Sequence, residues 1–344
     1  MTSKFTVRRT AVKKILVIGG TGAMGVYLVP ELLRLGYKVD VVASDQPISD
    51  NPNLTYTRAN AKDFAVMSEI AKRGYDAIVD FMVYPIKGEY EAFVSLYTNN
   101  TDQYFFLSTY RVYADEEHPI KETSPRLLDV SNDQALLTSG DYCIYKAQGE
   151  DFVRSLDKKN WTILRPAITY SKRRFQLVTL ESHIVIRSIL ENRTIALPEG
   201  AMEKQATMSW GGDVGLMIAR LVNNNQAFGE TYSVCTSEHH TWHEIAEMYK
   251  RICGLKYIVV PDEDYIDIIS MHPLLQKQQL IYDRMFDRIM DNSKILNATG
   301  MKESELMPLE KGLELEFSQF PKNTTSWYED EPARKMIKYM EEHK

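Results

Sequence analysis

A phenol and an amine stand four residues apart in the segment from Tyr142 to Lys146. On a helix, residues at this spacing share one face, so the ammonium of Lys146 is expected close to the phenol of Tyr142. A tyrosine with a pKa of about 10 is a poor base at neutral pH. A nearby cation favours its phenolate. The pair therefore indicates proton transfer, although the same spacing also occurs on helices that do no chemistry.

Hydroxyl groups follow a short apolar run at Tyr104–Leu107. The run predicts a buried strand, and Ser108 and Thr109 come directly after it. In open α/β sheets, ligands bind at the carboxyl ends of the strands. The two hydroxyls are therefore predicted at an edge of the sheet where a ligand can lie.

Three glycines spaced by three residues follow the apolar run Ile15–Ile18 and precede the helix-compatible stretch Val26–Leu35. Gly19 can adopt the backbone angles of a tight turn, Gly22 leaves room for a pyrophosphate, and Gly25 lets the helix pack against the strand. The free N–H groups and the dipole of the helix then face the phosphates. This strand, turn and helix predict a dinucleotide site.

Strand-like and helical segments alternate through the first half of the chain, which is typical of a parallel sheet covered on both faces by helices. The predicted strands are Ile15–Ile18, Val39–Ala43, Ala77–Val83, Tyr104–Leu107 and Thr162–Leu164, and the predicted helices between them include Met67–Arg73, Tyr90–Tyr97 and Lys146–Leu156. The fold class expected is α/β, a Rossmann-type doubly wound sheet.

The alternation loosens after Arg165-Pro166, where methionines, glycines and prolines increase. We therefore expect a dinucleotide-binding domain over residues 1–165 and a smaller mixed α/β substrate region over residues 166–344. Some segments of the second region are expected to return to the sheet. Within it, Thr241 and Glu244 form the pattern of a capping box and predict a helix through Arg251.

Composition excludes several classes of protein. The chain has 344 residues, of which 44% are hydrophobic, and no run of about 18 apolar residues that would span a membrane. A net charge of −6 gives no general attraction for nucleic acid or for an anionic membrane.

No metal site is predicted. The three cysteines make no metal-binding spacing, and their number fits a reducing cytoplasm. His239, His240 and His243 cluster in the sequence, but no cysteine or paired acidic residue joins them, and His243 lies inside the capping box.

The order of these motifs resembles the extended short-chain dehydrogenase/reductase family, which includes nucleotide-sugar epimerases and dehydratases. The likeness covers nearly the whole chain. It is carried by Gly19, Gly22 and Gly25, by Ser108 to Tyr113, by Tyr142 and Lys146, by Arg165 to Tyr170, and by Gly212-Asp213-Val214.

The resemblance implies a role for each matched residue. Thr109 would bond the substrate alcohol or carbonyl, Tyr142 would be the acid and base, and Lys146 would bind the nicotinamide ribose and lower the pKa of the tyrosine. Such a set suits hydride chemistry, since an alcohol must lose its proton as its carbon gives up hydride. The cofactor-binding residues implied are Gly19, Thr21, Gly22, Ala23, Met24, Gly25, Ser44, Asp45, Asn60, Ala61, Phe81, Met82 and Lys146.

The end of the second strand bears on the choice of cofactor. Ala43 stands where NAD enzymes of this family often place an aspartate, and Ser44 and Asp45 follow. Asp45 either takes that role or is a solvated loop residue. A 2′-phosphate would favour an arginine or lysine. None lies in 39–52, so NAD is predicted, and NADP stays open.

The residues that follow Thr109 limit the type of reaction that the resemblance implies. Sugar dehydratases of the family carry an aspartate and a glutamate directly after the active hydroxyl, whereas this chain has Tyr110 and Arg111. We therefore expect an epimerase that oxidises and re-reduces one sugar carbon. The alternative within the family is a reductase or dehydrogenase of a sugar or another carbonyl compound.

The predicted substrate is a small molecule, a nucleotide sugar. Relatives place an arginine for the diphosphate at the position of Ala206, so other cations must replace it. We predict Lys172, Arg173 and Lys204 as substrate-binding residues with Thr109, and Arg174 belongs to the same basic run. The alternative is that this run is a basic surface loop.

The resemblance also implies a homodimer, formed by the helices around Tyr90–Tyr97 and Tyr142–Leu156. A different class of function is a non-catalytic dinucleotide-binding protein that regulates other proteins or associates with RNA. The complete set of Thr109, Tyr142 and Lys146 favours the enzyme, and the acidic net charge disfavours the RNA-associated protein.

Overall fold

A sheet of parallel strands forms the centre of the molecule. The computed structural model describes residues 13–270, 275–324 and 327–343. In chain order the strands are β1 (Lys14–Ile18), β2 (Lys38–Ala43), β3 (Leu54–Arg58), β4 (Tyr75–Asp80), β5 (Thr101–Leu107), β6 (Trp161–Pro166), β7 (Ile168–Tyr170), β8 (Gln176–Leu177), β9 (Leu180–Glu181), β10 (Thr194–Pro198), β11 (Gln205–Ala206), β12 (Met208–Trp210), β13 (Glu230–Val234), β14 (His240–Thr241) and β15 (Lys256–Val260).

Helices cover both faces of this sheet and fill the second region. They are α1 (Gly25–Arg34), α2 (Phe64–Ala71), α3 (Lys87–Asn99), α4 (Leu127–Val130), α5 (Gln134–Thr138), α6 (Tyr142–Ser155), α7 (Ser182–Leu190), α8 (Gly211–Leu221), α9 (Trp242–Cys253), α10 (Asp262–Ile269), α11 (Leu275–Gln279), α12 (Ser293–Thr299), α13 (Leu309–Gln319) and α14 (Glu331–Glu342). Within the described residues, none of the helices is both long and apolar enough to cross a membrane.

The strand order of the central sheet is β13-β6-β5-β4-β1-β2-β3, and every pair is parallel. β1 lies at its centre, and Ile15 to Ile18 are fully buried. Alternate side chains of β1 enter different cores: Ile15 and Val17 pack with α1 and α8, and Leu16 and Ile18 pack with α2 and α3. A strand buried on both faces needs a continuous apolar sequence, as β1 has.

The predicted fold class is confirmed, and each predicted strand corresponds to an observed one. The prediction missed β3, whose sequence of leucine, threonine, tyrosine, threonine and arginine is polar because the strand lies at the edge of the sheet. The strand predicted at Ala77–Val83 ends earlier, at Asp80.

The second region contributes to the central sheet as well as to a core of its own. β13 pairs with β6, and α8 packs against α1 so closely that a Cβ on Gly215 would lie 2.8 Å from the backbone nitrogen of Leu28. Most of the remaining elements surround a second hydrophobic core that includes Trp242 and Tyr265.

The helix predicted from the capping box is α9. The hydroxyl oxygen of Thr241 accepts from the backbone N–H of Glu244 at 3.1 Å, and the Glu244 carboxylate accepts from the backbone N–H of Thr241 at 2.8 Å. The helix ends at Cys253, two residues beyond the predicted end at Arg251, and Gly254 follows with φ of 74°.

Candidate active site

The glycine turn has little space for side chains. Gly19 has φ of 78°, and its N–H donates to the carbonyl oxygen of Val42 at 2.8 Å. A Cβ on Gly22 would lie 3.3 Å from the Gly19 carbonyl oxygen, and a Cβ on Gly25 would lie 2.5 Å from the backbone of Gly20. The turn therefore requires glycine at the first and third positions of the motif and is tight at the second.

The backbone at this turn fits the pyrophosphate of a dinucleotide. Within the described part of the chain, the N–H groups of Thr21, Ala23 and Met24 donate to no protein acceptor. They lie between β1 and the N-terminus of α1, where the helix dipole also favours an anion. The predicted residues from Gly19 to Gly25 thus lie in one turn with three free backbone donors, which suits an anion.

The residues predicted to bind the adenosine end lie at the same edge of the sheet. Asp45 follows β2, and its carboxylate accepts from the hydroxyl of Thr21 at 2.5 Å. Ser44 and Asn60 are exposed, and Ala61 is buried. This places a carboxylate next to the glycine turn, where a ribose hydroxyl can bind it.

Phe81 and Met82 follow β4 and close the turn from the other side. The Phe81 Cβ would lie 3.3 Å from a Cβ on Gly19, and the Met82 sulfur 3.9 Å from it. The Met82 N–H donates to the Asp80 carboxylate at 2.9 Å, which fixes the backbone at this position.

The amine of Lys146 lies buried between the ends of two neighbouring strands. It donates to the carbonyl oxygen of Leu107 at 2.6 Å and lies 3.4 Å from that of Met82. Burial lowers the pKa of Lys146 to about 8, and the negative charge of Asp80 opposes this shift. An ammonium has three N–H donors, so one remains for a ligand at this edge.

Tyr142 is the first residue of α6, and the carboxylate of Asp141 caps the helix by accepting from the N–H of Cys143 at 3.0 Å. The Lys146 nitrogen lies 5.7 Å from the centre of the Tyr142 ring, and the Arg111 guanidinium carbon lies 5.4 Å from it. The predicted proximity of phenol and amine is therefore present on one helix.

The pKa of Tyr142 is raised in this structure, because burial outweighs the neighbouring cations. Arg111 and Arg174 are the cations that act against this increase. The motif had pointed to Lys146, whose hydrogen bonds go to backbone carbonyls instead.

A cavity of about 140 Å³ brings Thr109 and Tyr142 together beside Met24 of the glycine turn. Residues 166–169, which join β6 to β7, also line it. Three guanidinium groups also line it, those of Arg111, Arg174 and Arg284. The cavity therefore joins the predicted catalytic residues to the predicted cofactor turn and is rich in positive charge.

The two residues that flank Thr109 are both anchored to buried carboxylates. The hydroxyl of Ser108 donates to Glu150 at 2.5 Å, and the hydroxyl of Tyr110 donates to Asp283 at 3.1 Å. Thr109 itself accepts from the N–H of Arg111 at 3.2 Å. The hydrogen bonds of Ser108 and Tyr110 thus hold the backbone on both sides of Thr109 in place.

Sequence reasoning missed the cluster around Asp283. This fully buried carboxylate lies 3.0 Å from Arg288 and 3.5 Å from Arg111, and it also contacts Arg284. The three guanidinium groups lower the pKa of Asp283, and burial opposes them. The only signal in the sequence is the grouping of two aspartates with two arginines over residues 283–288.

The structure separates the residues predicted to bind substrate. Lys204 lies 3.0 Å from Asp287 and does not line the cavity that contains Tyr142. Lys172 and Arg173 line another cavity, of about 270 Å³, together with Gly20 and Thr21 of the glycine turn. Of the basic run, Arg174 lines the cavity of Thr109 and Tyr142.

Comparison with known protein structures supports the fold over nearly the whole length. An epimerase, Mth375, from Methanothermobacter thermautotrophicus is 14% identical with a TM-score of 0.69, covering 90% of this chain and 93% of its own. The UDP-glucuronic acid 4-epimerase of Bacillus cereus, in complex with UDP-glucuronic acid and NAD, is 18% identical with a TM-score of 0.65, covering 89% and 98%.

A dehydratase is equally similar. The dTDP-glucose 4,6-dehydratase of Bacillus anthracis, in complex with NAD, is 17% identical with a TM-score of 0.68, covering 92% of this chain and 99% of its own. No curated protein matches the chain in sequence.

A family model gives the assignment. The model described as the NAD dependent epimerase/dehydratase family matches residues 15–234, which run from β1 to the end of β13. The predicted family, the enzyme class and NAD as the cofactor are thereby confirmed. The chain belongs to the NAD dependent epimerase/dehydratase family.

Proposed function

We propose that the protein is an NAD-dependent epimerase of a nucleotide sugar, which oxidises and re-reduces one sugar carbon. The observation that carries this proposal is the lining of the Tyr142 cavity. Among the described residues, no carboxylate and no imidazole lines it. Elimination of water needs an additional acid and base, whereas oxidation and reduction at one carbon need one proton-transfer group.

Tyr142 is that group. The second phenol of the cavity, Tyr110, donates to Asp283 and accepts from Arg284 at 2.7 Å, so its hydroxyl is already engaged. Burial also raises the pKa of Tyr110. Tyr142 lies half-buried at the cavity wall, next to Thr109.

The proposed chemistry assigns one role to each residue. Bound NAD supplies the acceptor and donor of hydride. As the phenolate, Tyr142 takes the proton of the sugar hydroxyl when the sugar carbon is oxidised, and as the phenol it returns that proton when the carbon is reduced. The Thr109 hydroxyl bonds the same sugar oxygen. Arg111 and Arg174 stabilise the phenolate when it forms, because both favour the charged form of Tyr142. Lys146 holds the ribose with its remaining donor.

The charge and size of the cavity support an anionic substrate that is only partly enclosed. Arg111, Arg174 and Arg284 line a volume of about 140 Å³. Pockets for drug-sized ligands measure about 300 Å³ or more, so this cavity encloses the reacting ring while the nucleotide lies outside. The UDP-glucuronic acid in the Bacillus cereus relative supports the same class of substrate.

We further propose a cytoplasmic homodimer that pairs through α3 and α6. The two helices pack together in the protomer, where the rings of Tyr90 and Phe152 are 6.3 Å apart. Cys143 and Cys235 are free and buried, which fits a reducing compartment. Light scattering at micromolar concentration should give the mass of a dimer, and a monomer alone would contradict this arrangement.

The decisive variant is Tyr142→Phe, which keeps the ring and removes the proton carrier. Turnover should fall by about 10²–10⁴-fold, because general acid–base catalysis contributes that much. NAD affinity, measured by calorimetric titration, should stay the same. UDP-glucose and UDP-glucuronic acid are the first substrates to test. Wild-type turnover in this variant would show that Tyr142 is not the proton carrier. NAD binding without turnover of any sugar nucleotide by the wild type would favour the non-catalytic dinucleotide-binding protein.

The same assay separates an epimerase from a reductase. With substrate in large excess over enzyme and no added cofactor, an epimerase turns over repeatedly, because its cofactor is regenerated in each cycle. A reductase stops after one equivalent. A single equivalent of product would replace our proposal by the reductase alternative.

A further inference from the structure

Three consecutive basic residues face two different cavities. Arg174 lines the cavity of Tyr142, whereas Lys172 and Arg173 line the cavity beside the glycine turn, with Gly20 and Thr21. The segment that connects β7 to β8 therefore passes between a predicted substrate cavity and a predicted cofactor turn.

Lys172 lies close to the start of α1. Its amine is 5.5 Å from the centre of the Tyr27 ring, and Tyr27 belongs to the first turn of that helix. The backbone is held there by Ser171, whose Oγ accepts from the N–H of Arg173 at 3.2 Å. Ser171 in turn packs against the start of α8, since a Cβ on Gly211 would lie 3.2 Å from its Cβ.

The three basic residues of this segment differ in their ion pairs. The Arg174 guanidinium lies 2.9 Å from the Glu181 carboxylate and also contacts Gln176. Lys172 and Arg173 are exposed and, within the described residues, pair with no carboxylate. Two unpaired cations beside a helix N-terminus make an electropositive patch that favours an anionic ligand.

We propose that Lys172 and Arg173 bind the pyrophosphate of the NAD cofactor, while Arg174 binds the substrate. The proposal rests on NAD as the cofactor of the proposed function. Of the residues with free N–H groups in the glycine turn, Thr21 lines the same cavity as Lys172 and Arg173, and the two side chains add positive charge beside it. A 2′-phosphate fits less well, because it would stand at the ribose hydroxyls that we assign to Asp45, whose carboxylate accepts from the Thr21 hydroxyl and would repel it.

In this proposal the basic run from Lys172 to Arg174 does not bind substrate alone: two of its residues bind the cofactor and one binds the substrate. The proposal predicts that neutral substitutions in the run separate cofactor affinity from substrate affinity. Substrate residues alone would change only the KM for substrate.

The test is calorimetric titration of the full chain, freed of co-purified nucleotide, with NAD, ADP-ribose and adenosine. In the double variant Lys172→Gln/Arg173→Gln, affinity for NAD and ADP-ribose should fall about tenfold, as expected for two exposed charge contacts of about 0.7 kcal/mol each. Adenosine has no phosphate, and its affinity should not change. Arg174→Gln should leave NAD affinity unchanged and raise the KM for the sugar nucleotide.

Lys204→Gln is the control. It also replaces a cation by glutamine, but Lys204 pairs with Asp287 and lines neither cavity. Its NAD affinity should equal that of the wild type. The inference is overturned if wild-type protein binds NAD and the double variant binds it equally well. It is also overturned if the double variant loses more affinity for NADP than for NAD, which would place the two cations at a 2′-phosphate. If the wild type binds no NAD, the proposed function itself fails, and this inference with it.

Discussion

Glu150 and Asp283 are two buried carboxylates that each gather three arginines, in different parts of the molecule. Around Glu150 the nearest contacts are 2.6 Å to Arg165 and 3.2 Å to both Arg126 and Arg154. Around Asp283 they come from three other arginines, at residues 111, 284 and 288. Each carboxylate also accepts a hydrogen bond from a residue next to the predicted catalytic threonine. The hydroxyl of Ser108 donates to Glu150, and the hydroxyl of Tyr110 donates to Asp283.

The two clusters differ in what surrounds them. Glu150 lies on α6 and binds Arg165 of β6, so its cluster joins a helix to the sheet. Asp283 lies in a π-helical turn at Leu280–Arg284, and Arg284 lines the Tyr142 cavity. None of the three arginines around Glu150 lines that cavity in the described part of the chain. A buried carboxylate with three arginines thus joins a helix to the sheet at Glu150, whereas the one at Asp283 contributes to the wall of the Tyr142 cavity.

Glu150→Gln should have the largest effect, and it should be on stability. The substitution leaves three guanidinium groups without their shared carboxylate, and breaking a buried ion pair lowers the free energy of unfolding by about 3–5 kcal/mol. Urea denaturation measures this change. Asp151→Asn is the control, because that neighbouring side chain is half exposed and its loss should change the free energy by less than about 1 kcal/mol. A Glu150→Gln protein as stable as the control would show that the cluster does not stabilise the fold.

Asp283→Asn should act on catalysis as well. Arg111, Arg284 and Tyr110 lose the carboxylate that positions them, and displacements of about 1 Å reduce rates by as much as about 10²-fold. We expect kcat per folded molecule to fall about 10–100-fold. Asp287→Asn, which instead loses a contact with Lys204, should keep normal kcat. If Asp283→Asn and Glu150→Gln reduce kcat equally, the proposed difference between the clusters is wrong.

The sequence predicted the parts of the site that depend on short separations. The glycine turn and the pair of Tyr142 and Lys146 each lie within one strand, turn or helix, so their spacing alone encodes their geometry. The contact between Tyr110 and Asp283 spans 173 residues, and no local pattern indicates it. β3 was missed for a related reason: an edge strand need not be continuously apolar.

The basic run shows a different limit of sequence reasoning. Three like charges in a row suggested one common ligand, but Lys172 and Arg174 line different cavities. The direction of each side chain depends on how β7 and β8 are placed, which the composition of the run does not encode. The roles of these residues stay predictions until NAD and substrate affinities are measured separately.

A smaller effect distinguishes the two hydroxyls that flank Thr109. Ser108→Ala removes the bond to Glu150, and Tyr110→Phe removes the bonds to Asp283 and Arg284. Each should lower the free energy of unfolding by about 1.5–3 kcal/mol, the usual contribution of a hydrogen bond to a charged group. Only Tyr110→Phe should also change the KM for substrate, because it removes a contact that holds Arg284 in the wall of the cavity. Equal kinetic changes in both variants would count against the separation of roles.

A third buried carboxylate, Asp80, sharpens the comparison, because it has a lysine near it and no arginine in the described residues. Burial raises the pKa of Asp80 to about 6, whereas arginines bring that of Glu150 down to about 2. Burial also lowers the pKa of Lys146 to about 8, and the Asp80 anion opposes that decrease. Between the pKa of Asp80, about 6, and that of Lys146, about 8, the carboxylate is charged and the amine is protonated. Above about pH 8 the amine loses its proton.

The smallest predicted effect follows from that pair. If the Lys146 ammonium holds the cofactor ribose, NAD affinity should decrease as the pH rises through about 8. Asp80→Asn removes the anion that favours the charged amine, so the midpoint should move to lower pH. Titrations of NAD between pH 6 and 10 measure it. Asp76→Asn is the control, since its carboxylate lies at the other end of β4 and accepts from the N–H of Lys14 at 2.6 Å. An unmoved midpoint in Asp80→Asn would mean that Asp80 does not set the charge of Lys146.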